Sequence, residues 1–242
     1  FAQVKEEPAQ RAGDTEQNTR ALPVAGERNI PTDPGVTGMG GKPQLGDNSP
    51  MTKLLIFAGS TRQLSFNRRL ANVAAAMARA EGADVTHIEL SDFDVPLYNA
   101  DLEARGTPAD VMRLKSIAYD HPAWIICSPE YNGSYTGLLK NTIDWISSPV
   151  KGDPVWSDGD RSMRGKIVGL MSASNGALGG LRSLSHLNPL MANAQCWVAP
   201  KQFALSRAAD AFDENGELKL PAQRDNVLAV VQQVLWAAKR FA

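Results

Sequence analysis

The chain has 242 residues, 43% of them apolar, enough to bury a core of ordinary size in one domain or two small ones. Its 25 Lys plus Arg against 26 Asp plus Glu leave a formal net charge of −1, which excludes the global cationic field of a dedicated nucleic-acid binder. The same balance argues against an electron carrier that docks through a strongly acidic face. No apolar run approaches the roughly 20 residues that cross a bilayer, so no membrane partner is expected. The two cysteines, Cys127 and Cys196, sit in apolar stretches; this excludes a disulfide scaffold or a paired-cysteine zinc site and fits a reduced, cytoplasmic compartment.

Residues 1–50 hold six Pro, seven Gly and one aromatic, Phe1, whereas the rest of the chain holds the other fifteen aromatics. Such a segment cannot offset the entropy of ordering itself, and it reads as a disordered extension or linker ahead of a domain spanning 51–242. It has no apolar stretch of the kind a secretory signal needs. Gly40-Gly41-Lys42 is close to a phosphate-binding P-loop, but Pro43 stands where that motif needs a hydroxyl, and neither strand nor helix flanks it.

From Met51 onward, short β-rich apolar runs alternate with longer helical patterns. Residues 53–58 (KLLIFA) read as a first strand, and 65–81 carry Phe66, Leu70, Val73, Ala74 and Met77 at helical spacing, ended by Gly82. A second strand is expected over 84–90, a helix opened by Pro108 over 108–119, and a buried third strand over 124–128 (WIICS). A helix at 137–147, a strand at 166–172 (KIVGLMS), a helix at 181–191, a fifth strand at 195–199 and a final helix at 221–241 complete the pattern. Strands separated by crossover helices imply a five-stranded parallel sheet covered on both faces, a three-layer doubly wound α/β fold. Ligands in such folds sit at the C-terminal strand ends beside the topological switch point.

Three loops follow strands one, three and four, so the topology alone brings them to that edge. The first, 59–67, places Ser60, Thr61, Arg62, Ser65 and Asn67 before a helix N-terminus. Hydroxyls, a guanidinium and free backbone N–H groups suit an anion, and simple capping of the helix by Ser65 suits the same residues equally well. The second, 128–137, carries Pro129, Glu130, Tyr131, Asn132, Gly133 and Tyr135, the equipment to hold a planar heterocycle by its edge. The third, 172–182, is built of small residues including Ser174 and Gly176, which let a backbone approach a ring closely or simply make a pliant connection.

Together, GSTRxxSFN, SPEYNGSYTGLLKNTIDW and SxSNGxxGGLR resemble the NADPH-dependent FMN reductase family of flavodoxin-like flavoproteins, which includes quinone, chromate and azo-dye reductases. The resemblance covers nearly all of 51–242. It implies FMN, with its phosphate at Ser60, Arg62, Ser65, Phe66 and Asn67, its ring against Pro129, Glu130, Tyr131, Asn132 and Gly133, and Ser174 and Gly176 approaching from the third loop. It also implies NADPH, or NADH, as hydride donor, a small-molecule acceptor (quinone, azo or nitro compound, chromate or flavin) in a ping-pong cycle, and a homodimer or homotetramer. The flavin carries the chemistry, so no catalytic side chain and no metal are expected. The competing class is a non-catalytic FMN-binding carrier or redox sensor on the same fold.

Two departures from the family pattern stand out. Thr136 replaces a common Pro, which predicts a less rigid turn after Tyr135. Residues 149–164 form a longer link than usual, read as part of the substrate mouth, with Trp156 over the flavin, in a subunit contact or as a satellite hydrophobic anchor. His87, His121 and His186 follow no metal-ligand spacing, Cys127 reads as a buried structural thiol, and Lys140, Asn141 and Asp144 share one helical turn that fits either a subunit interface or a solvated face.

Overall fold

The structure is a computed structural model that describes residues 51–241; the readings made for 1–50, including Gly40-Gly41-Lys42, lie outside the described residues. Strand β1 (Lys53–Ala58) is buried along almost its whole length, as a central parallel strand requires. Helix α1 (Phe66–Ala80) follows, capped by Ser65, whose hydroxyl accepts from the Arg68 N–H at 3.5 Å, and it buries Leu70, Val73, Ala74 and Ala78 on one face. Strand β2 (Asp84–Ile88) ends two residues earlier than its alternation predicts, because Leu90–Asp92 winds into a 3₁₀ turn.

Helix α2 (Ala100–Arg105), absent from the sequence expectations, is a short helix capped by the Asn99 side chain. Helix α3 (Ala109–Asp120) and strand β3 (Ala123–Cys127) lie within a residue of their expected bounds, and α4 (Gly137–Ile146), β4 (Ile167–Ala173) and α5 (Leu181–Asn193) lie within two.

The expected fifth strand is where the reading is corrected. Strand β5 (Trp197–Val198) is only two residues long, and a further strand, β6 (Phe203–Leu205), continues the same edge. Both pair in parallel with β4, at its start and at its end respectively. Pro200 lies between them and has no N–H to give to the ladder, so the edge is interrupted there. A short helix α6 (Ala208–Ala211) and the long α7 (Pro221–Phe241) end the described chain.

The sheet order β2-β1-β3-β4-β5 is the doubly wound order with its switch point between β1 and β3. Alternation along the strands sorts the core into two layers. Leu54, Ile56, Ile125 and Met171 pack with α1 and α7, while Leu55, Phe57, Trp124, Ile126 and Leu170 pack on the opposite face with α3, α4 and α5. Gly169 lets α7 settle close, since a Cβ there would stand 2.7 Å from Val234 Cγ2. Cys127 belongs to one layer and Cys196 to the other, and both are buried. Burial holds the Cys127 thiol far above its ordinary range and pushes Cys196 up to about 12, so both remain protonated thiols. No helix among the described residues is long and apolar enough to cross a membrane.

Candidate functional site

The chain leaves β1 at Gly59, whose N–H donates to Cys127 O at 2.9 Å, and this ties the first loop to the end of β3 across the switch point. Thr136, at the end of the second loop, closes the same corner. Its hydroxyl donates to Gly59 O at 2.7 Å and accepts from the Leu139 N–H at 3.2 Å, capping α4. The turn predicted to be loose is therefore fastened: Thr136 is buried, and its Oγ1 makes two bonds that a proline cannot make.

Beyond Gly59 the first loop keeps its donors facing outward. Among the described residues, the backbone N–H groups of Ser60, Thr61, Gln63, Leu64, Phe66 and Asn67 have no hydrogen-bond partner. They are gathered at the positive end of α1, with the Arg62 guanidinium 5.5 Å from the centroid of the Phe66 ring. Ser65 does cap the helix, and the cap leaves the loop's other N–H groups open to an anion.

Asn67 acts differently from its neighbours. Its side chain is buried, with Nδ2 donating to Ala173 O at 2.8 Å and Oδ1 accepting from Ala173 N at 2.9 Å. This two-bond clamp fixes the start of α1 to the end of β4, leaving only the Asn67 backbone N–H for a ligand.

In the second loop, Tyr131 and Ser134 exchange backbone bonds of 2.9 and 3.0 Å around Asn132 (φ 51°) and Gly133 (φ 81°), the Asn-Gly tight turn with both central residues left-handed. Tyr131 is lifted into solvent, and His186 Nδ1 meets Ser134 Oγ at 3.0 Å from α5. Glu130 does not present a bare carboxylate to the site. Its Oε1 accepts from Arg182 Nε at 2.7 Å and its Oε2 from Arg182 N at 3.2 Å, so the first turn of α5 neutralises it.

The third loop is held on both sides. Ser174 N donates to Leu205 O at 3.0 Å, Ala208 N donates to Ser174 O at 3.1 Å, and the Asn175 carboxamide accepts from Ala209 N at 2.8 Å. At Gly179 and Gly180, with φ of 62° and 90°, a Cβ would stand 2.7 Å from the Leu205 carbonyl carbon and 1.9 Å from Ser172 Oγ. These glycines are required by contact as well as by backbone conformation.

The three loops enclose a cleft of about 170 Å³, open to solvent at its mouth. It is lined by Ser60, Arg62, Ser65, Phe66, Asn67, Pro129, Glu130, Tyr131 and Ser174, joined by Ala173 and Asn175. Of the residues singled out in the sequence, Asn132, Gly133 and Gly176 do not line it. The first two form the tip of the tight turn, and Gly176 folds its N–H back onto Ser174 Oγ at 3.2 Å. Sequence reasoning missed Arg182 as the partner of Glu130, Thr136 as a corner bolt and Asn175 as the anchor of α6. Only the run of small polar residues in each loop hinted at them.

Residues 149–164 do not line the cleft. Trp156 is buried and meets Tyr119 edge-on at 5.5 Å, with Lys115 Nζ 5.7 Å from its ring centroid, so it is the satellite anchor of the three readings. Asn141 is taken up internally, bonding Tyr98 N at 2.7 Å and Pro96 O at 2.9 Å, and Lys140 pairs with Asp144 along the helix. His121 is likewise occupied, between Ile117 O at 2.6 Å and Thr86 Oγ1 at 2.7 Å.

Comparison with known proteins agrees with this geometry. A family model described as NADPH-dependent FMN reductase matches residues 52–210. An NAD(P)H-dependent FMN reductase of Pseudomonas aeruginosa is 32% identical over 192 residues, covering 77% of this chain and 96% of that protein. A quinone reductase of Pseudomonas putida is 31% identical over 172 residues, covering 70% of this chain and 86% of its own length. Among solved structures, the flavoenzyme NAD(P)H:(acceptor) oxidoreductase FerB of Paracoccus denitrificans shares the fold, with a TM-score of 0.68 at 24% identity over 78% of this chain and 98% of that one.

The chain belongs to the NADPH-dependent FMN reductase family. It is an FMN-dependent oxidoreductase whose electron donor is NAD(P)H. The donor set of the cleft fits that cofactor: unpaired N–H groups, two hydroxyls and a guanidinium for a phosphate, and a flat, small-residue wall for a ring, with the one carboxylate already neutralised.

Proposed function

We propose that the protein reduces quinones and related planar acceptors with hydride from NAD(P)H, NADPH preferred, through FMN held in the cleft between the three loops. The observation that carries this reading is the cleft itself. Three loops distant in sequence converge at the switch point, and the first brings a run of backbone donors that the described residues leave unpaired. FMN bound there would supply the redox chemistry, accepting hydride from the nucleotide and passing two electrons with their protons to the acceptor.

The chain's own residues bind and orient. The free N–H groups of Ser60, Thr61, Gln63, Leu64, Phe66 and Asn67, with the Ser60 and Ser65 hydroxyls and the Arg62 fork, hold a phosphate. Pro129 and Tyr131 give one wall for a ring system, and Ala173, Ser174 and Asn175 give another that a backbone can approach closely. The Arg182–Glu130 pair keeps uncompensated negative charge away from a site that must accept electrons. Donor and acceptor share one open mouth and occupy it in turn, which is a ping-pong order. A mouth open to solvent favours a broad range of acceptors, including azo and nitro compounds, chromate and free flavin. Relatives named quinone reductase support quinones as the principal class. A homodimer or homotetramer acting in the cytoplasm completes the proposal.

An anaerobic visible spectrum of the FMN-loaded protein tests it. Rapid bleaching by NADPH, slower bleaching by NADH and recovery on adding a quinone are expected. A bound flavin that neither nucleotide bleaches would make the protein a carrier or sensor instead.

A further inference from the structure

A second cleft, of about 450 Å³, opens on the other side of the third loop, between that loop and the 206–223 segment, with Arg207, Asp210, Lys219 and Gln223 among its walls. The partition between the two clefts is one loop thick. Ser174 and Asn175 face the first cleft, Ala177 faces the second, and the loop is bonded to the far wall through Ser174 O, which accepts from Ala208 N, and Asn175 Oδ1, which accepts from Ala209 N. Gly179 seals the contact by packing directly on the Leu205–Ser206 backbone.

The far wall is also braced. Lys219 N donates to Ala211 O at 2.9 Å, Phe212 and Leu218 form an antiparallel bridge, and the Arg224 guanidinium donates to Leu218 O at 2.8 Å. The charges in this second cleft are uncommitted. Among the described residues, neither the Arg207 guanidinium nor the Lys219 ammonium makes an ion pair or a side-chain hydrogen bond, although Asp210 lines the same space. Five cations elsewhere, Arg68, Arg113, Lys140, Arg164 and Arg182, each pair with a carboxylate, while others, Arg62 of the first cleft among them, make no ion pair among the described residues.

From this arrangement we propose that the second cleft receives the adenosine 2′-phosphate end of NADPH while the nicotinamide lies in the first. The inference rests on the reductase reading above and extends it to the residues that select the donor. A quinone has no anionic arm to place beside two cations. A dinucleotide has a planar ring for the first cleft and, one loop away, a phosphate-bearing end for the second. A guanidinium and an ammonium suit the dianionic 2′-phosphate, to which Arg207 can give parallel N–H bonds. Asp210, acceptor-only, suits ribose hydroxyl or adenine amino donors. NADH would keep the Asp210 contact and lose the phosphate contacts, which makes the Arg207–Lys219 pair a selector between the two donors.

The test uses the full chain loaded with FMN and two variants, Arg207→Gln and Lys219→Gln, together with their combination. Both residues are exposed, and glutamine leaves a polar side chain in place of the cation, so the fold is expected to persist. By calorimetry, 2′,5′-ADP should bind the wild type at least tenfold more tightly than 5′-AMP, and the double variant should lose that difference. Equal affinity for the two nucleotides, equal binding of 2′,5′-ADP to wild type and double variant, or inorganic phosphate binding as well as 2′,5′-ADP would each overturn the assignment. In steady-state kinetics the double variant should raise the KM for NADPH about tenfold, leaving kcat, FMN content and the KM for NADH within twofold. A parallel rise for both donors would also overturn it. The binding arm needs no turnover. A wild type that binds 2′,5′-ADP selectively yet reduces nothing would count against the reductase reading and leave the second cleft assigned.

Discussion

The two ends of the sheet treat their polar groups in opposite ways. At the C-terminal end, the first loop presents a row of backbone donors that no described residue satisfies, beside an exposed Arg62. At the N-terminal end, the donors are buried and engaged. Lys115 is fully buried on α3 and donates to Ile146 O at 2.9 Å and to Ser148 O, closing the C-terminal end of α4, where Ser162 Oγ also reaches Ile146 O at 2.6 Å. Lys166 does the same for α3 through Tyr119 O. Two ammonium groups at helix C-termini answer orphan carbonyls and the negative end of the dipole, and the Ser162 hydroxyl ties the 149–164 link to the same corner. The difference teaches that charge and burial do not by themselves mark a ligand site. What marks it is a donor left without a partner. The long link, read from sequence as part of the substrate mouth, is scaffold at the far end.

The sharpest way to break the upper end is at Gly180. Gly180→Ala places a methyl 1.9 Å from Ser172 Oγ at a backbone φ of 90°, so either the third loop or the end of β4 must move. A loss of about 3 kcal/mol is expected from overpacking and left-handed strain together. Urea unfolding of the flavin-free protein reads it directly, and a loss under 1 kcal/mol would show that the loop relaxes freely. Next in size is Asn67→Ala, which leaves the Ala173 N–H and C=O buried and unpaired. About 2–3 kcal/mol should be lost, and flavin affinity should fall as a consequence of the displaced loop. Unchanged stability would mean that the clamp is replaced by solvent.

The lower end is probed by pH. Burial lowers Lys115 from an ordinary 10.5 to about 8, and Lys166 likewise to about 8. Below pH 8 both are charged in the folded and unfolded chains, and the burial penalty is present in full. Between 8 and 10.5 the unfolded chain holds protons that the folded chain has released, so unfolding free energy rises with pH, by at most about 1.4 kcal/mol per pH unit for each lysine. Lys115→Met should remove one lysine's share of that rise in denaturation curves taken from pH 7 to 10. An identical pH dependence in the variant would show that the Lys115 ammonium titrates normally.

How much of this the sequence carried depends on the distance over which each feature is decided. The elements of 53–58 and 221–241 follow from local apolar periodicity, and their bounds agree with the structure to the residue. The edge beyond 195–199 is where the pattern stops: Pro200, two residues past Val198, interrupts the ladder, and the three-residue continuation Phe203–Leu205 is too short to carry a periodicity of its own. The loops were legible as a set, since strand order alone delivers them to one edge. The work of individual side chains inside them was not. Asn67 and Ala173 lie 106 positions apart and Glu130 and Arg182 lie 52 apart, so whether a carboxamide clamps a neighbour or faces a ligand is settled only by what folding sets beside it.

The smallest effect on stability, and the cleanest separation of the two kinds of residue, should come from Arg62→Ala. Arg62 lines the same cleft as Asn67 and lies five positions before it, yet its guanidinium is exposed and makes no ion pair among the described residues. Its one close aromatic neighbour is Phe66, at a distance where a solvated cation–π contact contributes little. The variant should therefore unfold within about 0.5 kcal/mol of the wild type. Flavin retention is another matter: loss of a charge-assisted bond to a phosphate should weaken FMN about tenfold, measured by fluorescence titration of the flavin-free protein. Asn67→Ala loses stability and flavin together, whereas Arg62→Ala loses flavin alone. If Arg62→Ala retained FMN fully, the backbone N–H groups would hold the phosphate unaided, and the cation would be left for the incoming dinucleotide.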